Sequence, residues 1–563
     1  MLTLANRDQY ATLMDADTLK FTNDRPAIIY VATNQEPIIV TRSVLLQRIH
    51  QAAASLLNLG LIAEDLVIIA HTQSLESIYA FWGALAMGAI PSMFPTLTEK
   101  LDPDVYMKSM GELVRLSDAA AVLTTDEFAP LLRPKVTAPV FGSATLATSS
   151  SSPPTIAFQP DAEAIAFLQH SSGTTGLQKG VALSHAAVLN QIAAYSQAIA
   201  MCEDDVVVSW LPLYHDMGLI AGFILPLMQG VPLVLMSPFD WVSHPAMLFR
   251  AIHDYAGTLC WLPNFAYSHC ANRIRRRDSQ GLSVATMRLF INCSEPVRDD
   301  SHQLFLERFA DNGMRPEMLG VSYAMAENTF AVTQTTPHRV ARVEVIDGEE
   351  LELNRYAKIT DIDSPSAQRR VSCGLSIAGT ELRILNDNGD SLDDRYVGEV
   401  AIRSSYLLSA YYRRPDLQPF DDEGWFLTGD MGYMAGGELF IVGRAKDLII
   451  NAGKNVYPAD IEAVINEVAG VRAGRAVVFG VADKQEGTEL LAAVAEVLTK
   501  DETERRAIGR AIRLEVARQT SVTLSYVHLV GPKWLLKTSS GKIARGANRD
   551  KWRQEVMRAS KSS

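Results

Sequence analysis

The stretch that decides the fold runs from Ala164 to His185 and reads AIAFLQHSSGTTGLQKGVALSH. Its opening residues, AIAFLQ, predict a buried strand. The next eleven bring the hydroxyls of Ser171, Ser172, Thr174 and Thr175, the glycines Gly173, Gly176 and Gly180, and one cation, Lys179. Hydroxyls and backbone N–H groups donate to anions, glycine lets the backbone approach them closely, and a lysine adds a compact charge suited to phosphate oxygens. A loop of this kind at a strand end is where α/β proteins bind ligands. The spacing is not that of a Walker A loop, because Gly173 and Gly176 stand too close and Lys179 precedes Gly180 instead of Ser or Thr. Read alone, the segment is equally a Ser/Thr/Gly surface turn.

Around it the first third alternates apolar runs with amphipathic ones. DLVIIA (Asp65 to Ala70) precedes LESIYAFWGALAM (Leu75 to Met87), which Gly88 closes. Strand then helix, repeated, predicts an α/β fold with parallel-type sheets covered by helices. SSSSPP (Ser149 to Pro154) reads as a surface linker just before the phosphate-type loop. A second break lies at GGELFIVGR (Gly436 to Arg444), beyond which AVVFG (Ala476 to Gly480) and LLAAVAEV (Leu490 to Val497) predict a separate small unit. At 563 residues the chain exceeds one core. The expected division is a large domain over 1–442, a hinge at 443–447 and a small mobile domain over 448–563. No repeat of solenoid length is evident.

A formal net charge of -12 argues against nucleic acid as the main partner, since a phosphate-binding face needs a basic surplus. The opening MLTLANRDQYATLMDAD has no basic region followed by an apolar one, so a cytoplasmic location without a signal peptide is expected. The most apolar run, Leu219 to Met236, is interrupted by QGVP and predicts a buried helix followed by a buried strand, not a membrane span. The five cysteines lie far apart with no CxxC pair, which disfavours structural zinc and a disulfide framework.

Further motifs follow in order: WLPLYHDMG (Trp210 to Gly218), NCSEPV (Asn292 to Val297), SYAMAENTF (Ser322 to Phe330), WFLTGD (Trp425 to Asp430), GRAKDLIINAGKNVYPADIE (Gly443 to Glu462) and KTSSGKIAR (Lys537 to Arg545). With SSGTTGLQKG they resemble the adenylate-forming enzymes, which include acyl-CoA synthetases, fatty acyl-AMP ligases, luciferase and peptide-synthetase adenylation domains. The resemblance covers nearly the whole chain, although Ala324 stands where the family usually has glycine. It also outweighs a serine-hydrolase reading of Gly320 to Ala324, whose last glycine is missing from the GxSxG elbow.

The resemblance implies a β-barrel-like subdomain in the large domain, with ATP and Mg²⁺ as cofactors. Ser171 to Gly176 and Lys179 would hold the triphosphate, with Ser294, Glu295, Pro296, Tyr323 and Ala326 beside the adenine. Asp430 would accept the ribose hydroxyls and Arg444 would reach the same sugar. Glu327 with Thr174 would ligate Mg²⁺, a hard ion that prefers carboxylate and hydroxyl oxygen. Lys542 would touch both the carboxylate substrate and the α-phosphate, where a cation reduces repulsion between two anions. His215 would border the carboxylate, and Lys446 with Asp447 would form the hinge. Trp210, Trp241, Asn264 and Phe265 are candidates for an acyl pocket, as they are for core packing.

The implied reaction activates an apolar, fatty or polyketide-like carboxylic acid as acyl-AMP. For the acceptor, LPLYHDMGLIAG, PNFAY (Pro263 to Tyr267) and VSCG (Val371 to Gly374) resemble the fatty acyl-AMP ligases, which serve an acyl-carrier-protein phosphopantetheine. So does the long interval between Glu327 and Asp430, whose charged segment from Val343 to Arg370 resembles the insertion thought to restrict the small domain. SSGTTGLQKG is closer to acyl-CoA synthetases, so coenzyme A stays an alternative, as does an amine. A non-catalytic nucleotide-binding protein is the other class, against which Glu327, Asp430, Arg444 and Lys542 speak together.

Overall fold

The strand expected from AIAFLQ is Ile165–His170, with five of its six residues buried. The computed structural model describes residues 1–15, 24–97, 103–147, 161–170, 179–483, 488–520, 522–538 and 542–562. Ser171, Ser172, Gly173, Thr174, Thr175, Gly176 and the SSSSPP patch lie outside the described residues.

Ile165–His170 belongs to a seven-stranded sheet ordered Ala410–Tyr411, Gly180–Ser184, Ile165–His170, Ile90–Phe94, Leu66–Ala70, Ala121–Thr124 and Val140–Gly142. From Ile165–His170 to the Val140–Gly142 edge every neighbouring pair is parallel. On its other side the pairing turns antiparallel. The reason is chain length: the short segment after His170 can return only beside its own strand, whereas a parallel return needs about a dozen residues or more.

Helix Leu75–Ala86 lies against Arg42–Asn58 so closely that a Cβ on Gly83 would come within 2.5 Å of the Ala52 Cβ. Its Phe81 meets Phe167 at 5.6 Å and Phe223 at 5.7 Å between ring centres. One buried ring thus ties the strand that carries the phosphate-type loop to the segment after His215. Each such ring stabilises the fold by roughly 1.5–3 kcal/mol through burial. The apolar run forms a buried π-helical turn Met217–Ile224, a short helix Leu225–Gln229 and a buried strand Leu233–Met236. Gly230, at φ 77°, ends the helix in the left-handed conformation that glycine adopts freely. No helix among the described residues is long and apolar enough to cross a membrane.

The second sheet has thirteen strands. Its parallel half runs through Leu319–Ala324, Leu289–Asn292, Leu259–Leu262, Val207–Ser209, Leu233–Met236 and Pro26–Val31, with Ile38–Thr41 added antiparallel at the edge. Its antiparallel half runs through Ala331–Gln334, Leu375–Ser376, Glu438–Arg444, Phe426–Ala435, Gly398–Ser404 and Thr380–Leu385. The resemblance implies a barrel-like unit; these strands pair in an open order continuous with the parallel half. The change of direction falls at Leu319–Ala324, which pairs antiparallel with Ala331–Gln334.

A separate core begins at Ile449 and includes Ile461, Ile465, Val478, Leu491, Ile512 and Val516. It packs helices Pro458–Glu467 and Glu502–Gln519 on the strands Val471–Asp483, Thr488–Val497 and Tyr526–Val530. The other face holds Phe479 and Leu535, covered by Trp552 of helix Arg545–Ser562. Tyr457 packs with Tyr433, Phe440 and Val442, so this unit also touches the antiparallel strands.

Candidate active site

The direction change in the second sheet places Tyr323 at a strand end, where its hydroxyl donates to Asp430 Oδ2 at 2.6 Å. Asp430 lies within the strand Phe426–Ala435, not in a turn, and sits opposite Arg444. Arg444 Nε donates to Asp430 Oδ1 at 2.8 Å, and that carboxylate raises the guanidinium pKa further. Burial pushes the Tyr323 phenol well above its ordinary value, so it stays a donor. Each Asp430 oxygen keeps a second lone pair, so the carboxylate can still accept hydroxyls.

Glu327 stands in the 3-10 turn Ala326–Asn328, followed by Thr329 at a positive φ of 62°. Ala326 is buried in the same turn. Tyr411 donates its hydroxyl to Glu327 Oε1 at 3.2 Å. Burial raises the Glu327 pKa, opposed by that hydroxyl and by Arg444. The Tyr411 ring also lies 4.7 Å beneath Lys179 Nζ, because strand Ala410–Tyr411 pairs with Gly180–Ser184. One aromatic residue therefore connects the lysine after the phosphate-type loop to the carboxylate.

His215 Nδ1 contacts Asp216 Oδ1 at 2.5 Å, and Asp216 also accepts from the Met217 N–H at 2.8 Å. Burial opposes the Asp216 charge, yet His215, Lys542 and the Met217 N–H together hold its pKa below the ordinary value. Lys542 enters from the C-terminal unit and acts electrostatically on Asp216 and on buried Cys293. Lys446, in the turn Ala445–Asp447, has its pKa lowered chiefly by burial and also by Arg444 and Lys179.

A chain of pairwise electrostatic contacts thus runs from Lys542 and His215 through Asp216 to Glu327 and Arg444, and on through Asp430 and Tyr323 to Lys446 and Lys179. Four cations and three carboxylates, counting Asp216, suit a polyanion handled with a divalent metal. Among the described residues no group of three or more His, Cys, Asp or Glu could hold a metal alone. A partly compensated carboxylate such as Glu327 suits Mg²⁺, which takes most of its oxygen ligands from phosphates and water.

Other candidates have different surroundings. Ser294 adopts φ 71°, and its hydroxyl lies 3.8 Å from Met217 Sδ. Glu295 accepts from the Phe265 N–H at 3.0 Å, capping helix Asn264–Arg273, with Pro296 next in the chain. Asn264 is buried in a polar network, donating to Ser301 and accepting from Asn292 and the Arg298 N–H. Trp210 and Trp241 stack at 3.6 Å with planes 6° apart, and Phe265 meets both edge-on.

Sequence reasoning missed Asp216, Tyr411 and Arg545. Asp216 had a signal, since it follows His215 in WLPLYHDMG. Tyr411 had none locally, because only strand pairing brings it to Lys179 and Glu327.

Residues 16–412 match the family described as AMP-binding enzyme. The chain is 31% identical over 530 residues to a protein named long-chain-fatty-acid–AMP ligase FadD26 of Mycobacterium marinum, covering 87% of this chain and 88% of that protein. It is likewise 31% identical over 530 residues to the medium-chain-fatty-acid–[acyl-carrier-protein] ligase JamA of Moorena producens, with 88% of each covered. Its structure resembles one from a study of fatty acyl-adenylate ligases from E. coli and L. pneumophila, with TM-score 0.89, 26% identity and 98% of each chain covered.

Proposed function

Since this chain belongs to the AMP-binding enzyme family, we propose that it joins an apolar carboxylic acid, fatty or polyketide-like, to the α-phosphate of ATP. The acyl group then passes to the phosphopantetheine thiol of an acyl carrier protein. The observation that carries this reading is the convergence on Glu327 of Asp216, which pairs with His215 and feels the charge of Lys542, and of Arg444, which is paired with Asp430 beside Tyr323.

In the first step a carboxylate oxygen attacks the α-phosphorus in line and the bond to the β-phosphate oxygen breaks, giving acyl-AMP and pyrophosphate. Asp430 and Arg444 orient the ribose, and Tyr323 borders the adenine. Lys542 stands where two anions converge and lowers their repulsion most in the crowded transition state. Lys179 and the 171–176 loop hold the departing phosphates. His215, backed by Asp216, borders the acid's carboxylate. Glu327 and Thr174 would hold Mg²⁺, which supplies neutralising charge to the phosphates. Ser294, Glu295, Pro296 and Ala326 shape the adenine side, and Trp210, Trp241, Asn264 and Phe265 form or support the acyl wall.

Transfer requires the C-terminal unit to turn about Lys446 and Asp447, taking Lys542 out and admitting the thiol. A carrier protein is favoured as acceptor by the name of one relative, the [acyl-carrier-protein] ligase of Moorena producens, and by the 343–370 segment. Its Arg370 grips Asp460 of the C-terminal unit through contacts of 2.9 and 2.7 Å, and Arg355 reaches Asn455 at 3.3 Å. Ties of this kind restrict rotation. The five cysteines are all free, in keeping with a cytoplasmic reaction.

The test supplies ATP, Mg²⁺ and a panel of labelled acids with coenzyme A in one tube and phosphopantetheinylated carrier in another. Acyl-carrier as the dominant product is expected. Efficient acyl-CoA formation contradicts the choice of acceptor.

A further inference from the structure

Arg545 opens the last helix, three residues after Lys542, and its guanidinium is largely buried. Every arm of it is engaged. Nε donates to the Val478 carbonyl at 2.8 Å, Nη1 to Asp447 Oδ2 at 2.9 Å and Nη2 to Glu462 Oε1 at 2.7 Å. The same Glu462 oxygen accepts the Val478 N–H at 2.8 Å. Ahead of Arg545 the chain folds back on itself: Lys537 bridges Ile543, the Thr538 N–H donates to the Lys542 carbonyl, and the Ala544 N–H donates to the Leu536 carbonyl. Lys542 is thus presented by a short hairpin whose base is Arg545.

Two of the three contacts hold the arginine to its own unit. The third ends on Asp447, in the turn from which that unit departs. We propose that Arg545 is a positioning residue, which fixes the hairpin bearing Lys542 to the Asp447 pivot so that rotation carries Lys542 in and out as a rigid arm. This rests on the role given to Lys542 above. Arginine suits the task because its planar fork binds two carboxylates and a carbonyl at fixed angles, which the point charge of lysine cannot do.

The experiment compares Arg545→Gln, Arg545→Lys, Lys542→Ala and the parent in two half-reactions. One is formation of dodecanoyl adenylate from dodecanoic acid, ATP and Mg²⁺. The other is acylation of a phosphopantetheine thiol by preformed dodecanoyl adenylate, with thermal unfolding recorded on the same samples. Both Arg545 variants should lose adenylate formation, by about 100-fold for Arg545→Gln as expected for a group displaced by about 1 Å. Thiol acylation should persist, as in Lys542→Ala, because Lys542 has left the site by then. Parent-like adenylate formation in both Arg545 variants overturns the proposal. So does parallel loss of both half-reactions with a fall in unfolding temperature, which marks a structural role only. Parent-like adenylate formation in Lys542→Ala refutes instead the reading on which the proposal rests.

Discussion

Asp430 and Arg444 face each other across an antiparallel strand pair and are joined by a 2.8 Å ion pair, with the Asp430 carboxylate also held by Tyr323. Strand register, not loop chemistry, sets this side of the site. Asp430→Asn keeps the shape but removes the charge that binds Arg444 and is proposed to accept the ribose hydroxyls. Hydrogen bonds to charged groups contribute about 1.5–3 kcal/mol, so the ATP KM should rise roughly 10- to 100-fold with a smaller change in kcat. Kinetics at varied ATP check this, and an unchanged KM removes Asp430 from the nucleotide site.

Tyr411→Phe deletes the hydroxyl on Glu327 while keeping the ring under Lys179. One neutral hydrogen bond contributes about 0.5–1.5 kcal/mol, so a few-fold rise in the Mg²⁺ needed for half-maximal rate is expected. Glu327→Gln, which removes the charge itself, should raise it much more. Mg²⁺ titration of ATP–pyrophosphate exchange separates the two; identical curves for parent and Glu327→Gln contradict the metal role.

The bidentate Arg370–Asp460 pair tests the restraint on the C-terminal unit. Removing one partner would leave a buried charge, at a cost of about 3–5 kcal/mol, whereas replacing both with apolar residues is often neutral. The double variant Arg370→Met with Asp460→Met should therefore stay folded and acylate coenzyme A faster than the parent. A parent-like ratio of carrier to coenzyme A product assigns the pair to stability alone.

Burial lowers three histidines, His170, His185 and His302, from the ordinary 6.5 to about 4. Between those values the unfolded chain binds protons that the native protein does not, so their contribution is present above 6.5 and is lost as pH falls towards 4. Three such groups give a slope of at most about 4 kcal/mol per pH unit. Urea midpoints at about pH 7 and about pH 5 check the sign. Equal midpoints contradict it, and His302→Gln should flatten the dependence.

Much of this was legible in the sequence, for identifiable reasons. Contiguous apolar residues gave away Leu66–Ala70 and Ile165–His170, and the QGVP interruption marked the turn at Gly230. Glu327 and Lys542 were nameable only through the ordered motifs that resemble the family, since each residue read alone is an ordinary solvated charge. The antiparallel return after His170 was hidden, since it depends on how little chain is available for the connection. Tyr411 and Arg545 were hidden for a related reason: their partners lie 84 and 98 positions away, at Glu327 and Asp447.

Attack at the α-phosphate is the central claim, and an isotope answers it most directly. The acid is labelled with heavy oxygen in its carboxyl group and incubated with the protein, ATP, Mg²⁺ and the acceptor thiol. The account predicts release of pyrophosphate and one labelled oxygen in the AMP, left there when the acyl group departs. Label in orthophosphate with ADP as the co-product, or unlabelled AMP, would contradict it.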